Sequence, residues 1–346
     1  KYLSKKLSSI LSLSENELLN NLNNNKNYFI KRNISPKEYQ KIIDLGEIEL
    51  VVEKEKKRFY PYRNSVSHVV GYTDSDGVGL SGIERGLENI LNQGKDVYLS
   101  IDINLQQAVR NELINTIKKF SAIAGNVIVI DTLNREIIAM NSYPDFDPNN
   151  RSTFTKENLF NRAIEANYEM GSMFKTLTIA MGIDKEIIDD SMTFDVSKSI
   201  RGIKDFHPFK GRLDITECIV KSSNICTAKI ANKIGKKNQK DFFKKLGFFD
   251  KIDTQLLEVE KPLGNPNNWG EHETTRIGFG HSFSVTPLHL VKAYASIAND
   301  GYTVKPTFIL NAKKKSDQNI LLKKESSDYF LSLLNAVITK TKFTGP

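Results

Sequence analysis

Apolar positions in the first 25 residues recur at helical spacing: Leu3, Leu7, Ile10 and Leu11, then Leu18, Leu19 and Leu22. Two short amphipathic helices are predicted there. Ser14-Glu15-Asn16-Glu17, a serine answered by a glutamate three residues on, marks the start of the second. Residues 28–33 read as a strand, Ser35-Pro36 opens a helix ending near Gly46, and residues 49–60 read as a charged strand. A glycine-punctuated loop, 74–82, leads to a short helix closed by Gly94. Residues 97–102 then read as a strand and 104–120 as a strongly amphipathic helix. Two apolar strands, 126–131 and 136–141, form a hairpin around Thr132-Leu133-Asn134-Arg135. A helical region over 214–245, a buried helix over 288–299 and a strand over 302–310 follow. This order predicts an α+β fold with helices packed on an antiparallel sheet.

One stretch departs from simple patterning. Tyr168-Glu169-Met170-Gly171-Ser172 runs as a loop into a helix that is apolar from Met173 to Met181, apart from Lys175 and two threonines. Ser172 and Lys175 are three apart and share a helix face. A serine in the first turn sits at the positive end of the helix dipole, where an oxyanion is favoured. Apolar surroundings push a lysine toward its neutral form. From a free value of about 10.4, a base working near neutrality needs a drop of roughly three units, or about 4 kcal/mol. The stretch therefore reads as an activated serine carrying its own base. The blander alternative is a helix-capping serine followed by a solvated lysine. With 27 Ser and 38 Lys, chance supplies about three S-x-x-K matches. This is the one that occurs.

Composition narrows the function classes. The 346 residues suggest two domains, and 39% hydrophobic content allows a substantial core. The net charge of +8 comes from 38 Lys against 11 Arg. That balance argues against a nucleic-acid reader, which leans on Arg. Cys218 and Cys226 have neither a Cys-x-x-Cys pattern nor a histidine cluster beside them, which argues against a metal. They read as small buried residues. No run of eighteen apolar residues and no signal peptide occurs. The chain starts without Met and stops inside a local pattern, so it reads as a piece of a longer protein.

Ser222 and Asn224 form an S-x-N fifty residues after Ser172, within an otherwise helical run. Serine and asparagine compete with the helical backbone there, so the pair suggests a turn pointing polar groups inward. An ordinary inter-helix turn is the alternative. His207, in Asp205-Phe206-His207-Pro208, invites a Ser-His-Asp triad with Ser172, but Lys175 already fills the base role. His272, His281 and His289 lack ligand spacing.

S-x-x-K followed by S-x-N is the motif pair of serine β-lactamases and penicillin-binding proteins, whose third motif is K-T-G. The chain resembles the class B penicillin-binding proteins of the division (FtsI-like) type. The resemblance is carried by Arg58-Phe59-Tyr60-Pro61, His68-Val69-Val70-Gly71-Tyr72, residues 76–84 and 99–106, Glu136-Ile137-Ile138-Ala139-Met140, Tyr143-Pro144 with 146–149, Asn161-Arg162-Ala163, Gly278-Phe279-Gly280-His281 and Val285-Thr286-Pro287-Leu288. It implies an α+β pedestal domain over 1–94, incomplete at its N-terminus. A transpeptidase domain of the penicillin-binding and serine β-lactamase type would cover 95–346. Three departures stand out. Met173 replaces the commoner Thr, and Cys226 sits where Gly is usual. No K-T-G occurs: Lys342-Phe343-Thr344-Gly345 has an extra residue, and the motif is expected beyond Pro346. Without its strand the fragment would be inactive.

The resemblance implies a peptidoglycan D,D-transpeptidase. Ser172 would attack the penultimate D-Ala of a stem peptide and Lys175 would take its proton. Ser222 would relay a proton to the leaving amine. Asn224 would bond the substrate amide and help hold Lys175. The Ser172 N–H and a donor from the K-T-G strand would form the oxyanion hole. β-Lactams would acylate Ser172, with no cofactor or metal. The whole protein would be anchored in the inner membrane with these domains in the periplasm. There it would work with an FtsW-type glycosyltransferase and the division machinery. Alternatives are an elongation-type relative, a β-lactam-hydrolysing enzyme, and a penicillin sensor or scaffold of the same fold.

Overall fold

The computed structural model describes residues 1–24, 27–264, 266–312 and 319–340. Lys342 to Gly345, where the near-match to the third motif falls, lies outside the described residues. By contact the chain forms two compact units, Lys1–Arg58 and Phe59–Pro346.

The first unit contains α1 (Tyr2–Leu11), α2 (Glu15–Leu22) and α3 (Pro36–Ile43). Leu7, Leu11, Leu18 and Ile42 are its buried centre, so the helical spacing predicts the right face. Ser35 closes a full capping box with Glu38 at the start of α3. The strands expected over 28–33 and 49–60 are not formed; both segments run as loop. Their alternation is too short to give one apolar face. From Glu53 to Arg58 every residue is charged and exposed.

In the second unit α4 (Ile103–Lys119) packs on the hairpin of β1 (Gly125–Ile130) and β2 (Ile137–Tyr143), which pair antiparallel with Val127 opposite Asn141. Next come β3 (Tyr168–Glu169), α5 (Met173–Asp184), β4 (Thr193–Asp195) and β5 (Arg212–Asp214). After them follow α6 (Ile215–Val220), α7 (Asn224–Leu246), α8 (Glu271–Ile277), β6 (Ser284–Val285), α9 (Pro287–Ala298) and α10 (Lys324–Lys340). The α+β class and the hairpin agree with the sequence reading. The segments expected as strands over 97–102 and 302–310 form isolated bridges instead: Leu99 with Ile309, and in the later segment also Thr307 with Glu136 and Tyr302 with Ile320. Ser100 N–H still donates to Phe308 O at 2.9 Å, and Leu310 N–H to Tyr98 O at 3.0 Å. Pro306 removes a ladder donor from the middle of the returning segment and cuts it short.

Residues 59–94, expected with the pedestal, pack with the second unit. Val69 and Ile83 share one buried cluster with Ile137, Met140, Leu256 and Phe308. Gly86 approaches Gln255 so closely that an added Cβ would lie 1.7 Å from its carbonyl oxygen. The compact units therefore part after Arg58, because the apolar residues beyond Phe59 find their partners on the hairpin side.

Helix α5 runs through the main core. Nine of its twelve residues are buried, as a helix apolar on all sides requires. Around Phe174 stand the rings of Phe243, Phe248 and Phe283, with centroids at 5.7, 5.9 and 6.5 Å, and Phe243 also meets Trp269 at 5.4 Å. Phe243→Ala should therefore cost about 3–5 kcal/mol. Phe120, 70% exposed, should cost within about 0.5 kcal/mol on the same change. Urea denaturation of both variants checks this, and a loss below about 1 kcal/mol at Phe243 would contradict the ring cluster as the centre of the core.

Candidate active site

The loop before α5 is fastened before it reaches Ser172. Tyr168 and Glu169 pair with Val285 and Ser284. Glu169 accepts from Ser282 N–H at 2.7 Å and faces His281 Nδ1 at 3.1 Å. These partners hold its carboxyl below the usual range, the Ser282 N–H foremost. Gly171 takes a left-handed turn, φ +54°, and its N–H donates to Gly280 O at 3.1 Å. A Cβ on Gly280 would stand 1.9 Å from Gly171 O, so this crossing admits only glycine at 280. Ser172 then stands at the N-cap position of α5 with its side chain exposed and making no capping bond.

One turn on, Lys175 is buried, 4% exposed. Its Nζ donates to Ser222 O at 2.5 Å and to Ser222 Oγ at 2.9 Å. Ser222 Oγ lies 3.1 Å from Ser172 Oγ. Three of the four expected site residues thus converge, although fifty positions separate Ser172 from Ser222. The path among the described residues differs in one respect from expectation: Ser172 reaches Lys175 through Ser222. Burial pulls Lys175 down from 10.5 to about 8, against an opposing pull from the Asp205 carboxylate.

The turn carrying Ser222 joins α6 to α7, and Ser222 itself is left-handed, φ +50°. Asn224, the first residue of α7, donates from Nδ2 to Lys204 O at 2.8 Å rather than to Lys175. It steadies the loop before Asp205 and leaves the expected contact with Lys175 unmade.

Several participants escaped sequence reasoning. Asp205 is buried and accepts from Ser223 Oγ at 2.9 Å and Ile225 N–H at 3.0 Å, capping α7 and facing Lys175. It lies eighteen residues before Ser223, and no spacing signal links them. Glu169 with Ser282, and Gly171 with Gly280, likewise meet only in the fold. Cys218 and Cys226 are buried as expected, but they form a disulfide. His207 is exposed, with its ring on Phe206, as a loop histidine. His289 is buried against Asp250 O, and burial lowers it to about 4. Among the described residues, no group of three His, Cys, Asp or Glu could hold a metal ion.

Comparison with known proteins places this arrangement in a family. The penicillin binding protein transpeptidase domain matches residues 125–344, and the penicillin-binding protein dimerisation domain matches residues 1–130. The chain belongs to the penicillin-binding protein transpeptidase family. It is 32% identical over 282 residues to a protein of Caulobacter vibrioides named "Probable peptidoglycan D,D-transpeptidase FtsI", covering 79% of this chain and 48% of that one. To peptidoglycan D,D-transpeptidase FtsI of Escherichia coli it is 27% identical, covering 86% of this chain and 56% of the other. The chain thus spans about half the length of these relatives. Penicillin-binding protein 3 of Mycobacterium tuberculosis, without ligand, shares the fold at a TM-score of 0.74, with 24% identity over 83% of this chain and 71% of that one.

Burial of Lys175 has a measurable consequence for stability. Below pH 8 the ammonium is protonated in folded and unfolded chains alike, and its burial disfavours folding. Between about 8 and 10.5 the unfolded chain binds more protons, so stability rises with pH. Lys175→Met removes this dependence. The variant's advantage at neutral pH should shrink by about 2–3 kcal/mol as pH rises from about 7.5 to about 10. A difference that stays constant across that window would mean the ammonium is not desolvated by folding.

Proposed function

We propose that this chain carries the catalytic serine machinery of a peptidoglycan D,D-transpeptidase working in septal wall synthesis. The observation that carries the reading is the hydrogen-bonded line Ser172–Ser222–Lys175 at the N-terminus of a buried helix. The hydroxyl is exposed while its base is buried, as an activated nucleophile requires.

With Lys175 neutral, the proton of Ser172 Oγ passes to Ser222 Oγ as the proton of Ser222 passes to Lys175 Nζ. Ser172 Oγ bonds to the carbonyl carbon of the penultimate D-Ala. Charge gathers on the carbonyl oxygen near the helix N-terminus and the Ser172 N–H. The C–N bond to the terminal D-Ala breaks, and its nitrogen takes the proton back from Lys175 through Ser222. An amine from a neighbouring stem peptide then attacks the ester and returns the serine. Asn224, two residues after Ser222 at the start of α7, would bond a substrate amide. A β-lactam follows the same first half and remains on Ser172.

Asp205 is directed to Ser223 and Ile225, which weighs against a deacylating carboxylate and so against a β-lactam hydrolase. The disulfide fits an oxidising compartment such as the periplasm. Among the described residues no helix is long and apolar enough to cross a membrane. A single-pass inner-membrane anchor outside this chain, and an FtsW-type glycosyltransferase with division proteins as partners, complete the reading.

Fluorescent penicillin tests it on a protein that carries the K-T-G strand, without which labelling is not expected. Ser172→Ala should abolish covalent labelling, and Lys175→Ala or Ser222→Ala should lower its rate by about 10²-fold or more. In the wild type the rate should climb with pH and level off above about 8, as Lys175 loses its proton. Labelling that persists in Ser172→Ala would place the nucleophile elsewhere.

A further inference from the structure

The turn bearing Ser222 is closed by a covalent bond that the mechanism above does not use. Cys218 lies in α6 and Cys226 in the first turn of α7, with their Cα atoms 5.9 Å apart. The bridge spans eight positions and encloses Lys221, Ser222, Ser223 and Asn224. The backbones of the cysteines bind the same turn: Ser223 N–H donates to Cys218 O at 3.1 Å, and Cys226 N–H to Ser223 Oγ at 3.0 Å. Both side chains are fully buried, so the bond anchors the turn to the core.

Ser222 needs such an anchor. It is an exposed, non-glycine residue at φ +50°, a disfavoured conformation that surroundings must enforce. Asp205 and Ser223 tie down the start of α7, while the disulfide is the covalent link from that start to α6. Lys175 binds both Ser222 O and Ser222 Oγ, so any relaxation of the turn disturbs two contacts at once.

We infer that the Cys218–Cys226 disulfide is a positioning element for Ser222, and that rapid acylation of Ser172 requires this bond to be closed. The inference rests on the transpeptidase reading and adds to it. Neither sulfur touches substrate; they act through the angle at which Ser222 meets Ser172 and Lys175.

The test compares the protein carrying its K-T-G strand, oxidised and reduced. Dithiothreitol gives two electrons and two protons to the Sγ atoms of Cys218 and Cys226, the S–S bond breaks, and the reagent closes to its cyclic disulfide. A mass gain of two hydrogens and two thiols alkylated after denaturation verify the change. If burial shields the bond, the Cys218→Ala, Cys226→Ala double variant is read in the same way. Opening the bond should slow acylation by fluorescent penicillin about tenfold or more with circular dichroism unchanged, and reoxidation should restore the rate. In a Ser222→Ala background the same opening should change the rate by less than about twofold, because the residue it positions is gone. An unchanged rate overturns the inference. So does an equal loss in both backgrounds, or unfolding once the bond is open, which would make it a stability staple alone. Failure of the oxidised wild type carrying the K-T-G strand to be acylated would instead overturn the transpeptidase reading.

Discussion

A lysine ammonium buried in an apolar helix is the constraint around which the second unit is arranged. Lys175 cannot share the greasy surroundings of Phe174 and Leu177 without partners for its Nζ. Those partners are the carbonyl and hydroxyl of Ser222. A chain segment must therefore arrive at that point with both oxygens turned toward the helix. The turn between α6 and α7 does so by placing Ser222 in a left-handed conformation. Asp205, Ser223 and the Cys218–Cys226 bond then hold the turn from three sides. The same burial that makes the lysine costly brings it near neutrality, where it can exchange a proton.

Position of the nucleophile follows from a second set of contacts. The aromatic cluster around Phe174 and Phe243 sets where α5 lies. The crossing of Gly171 and Gly280 sets where α5 begins. Glu169, bridging Ser282 and His281, fastens the loop between those two determinants. Ser172 is thus exposed on a rigid base, and its hydroxyl points to Ser222 because neither element can shift independently.

Much of this was legible from local pattern. Helical spacing located α1, α2, α4 and α9, two apolar runs about a turn located the β1–β2 hairpin, and motif spacing singled out Ser172, Lys175, Ser222 and Asn224. The misread elements share a cause. Strand propensity over 28–33, 49–60 and 302–310 was real but local, and a strand also needs a neighbour with a free edge and a donor at every second residue. Charged residues from Glu53 to Arg58 supply no buried face, and Pro306 supplies no donor. By contact 59–94 falls in the second compact unit, because Val69 and Ile83 are drawn to the hairpin core.

By itself the sequence determined that a serine and a lysine share one face of an apolar helix, since three residues of separation decide that whatever the rest of the chain does. It determined the covalent order of the second motif too, and the amphipathic faces of the longer helices. Only the tertiary structure decided that Ser222 stands between Ser172 and Lys175, that Asn224 turns to Lys204, that Asp205 faces the lysine, and that two cysteines eight positions apart are joined. Each of these depends on contacts between segments distant in the chain or on the angle of one turn. Such geometry comes from packing the whole core, which no local window of residues encodes.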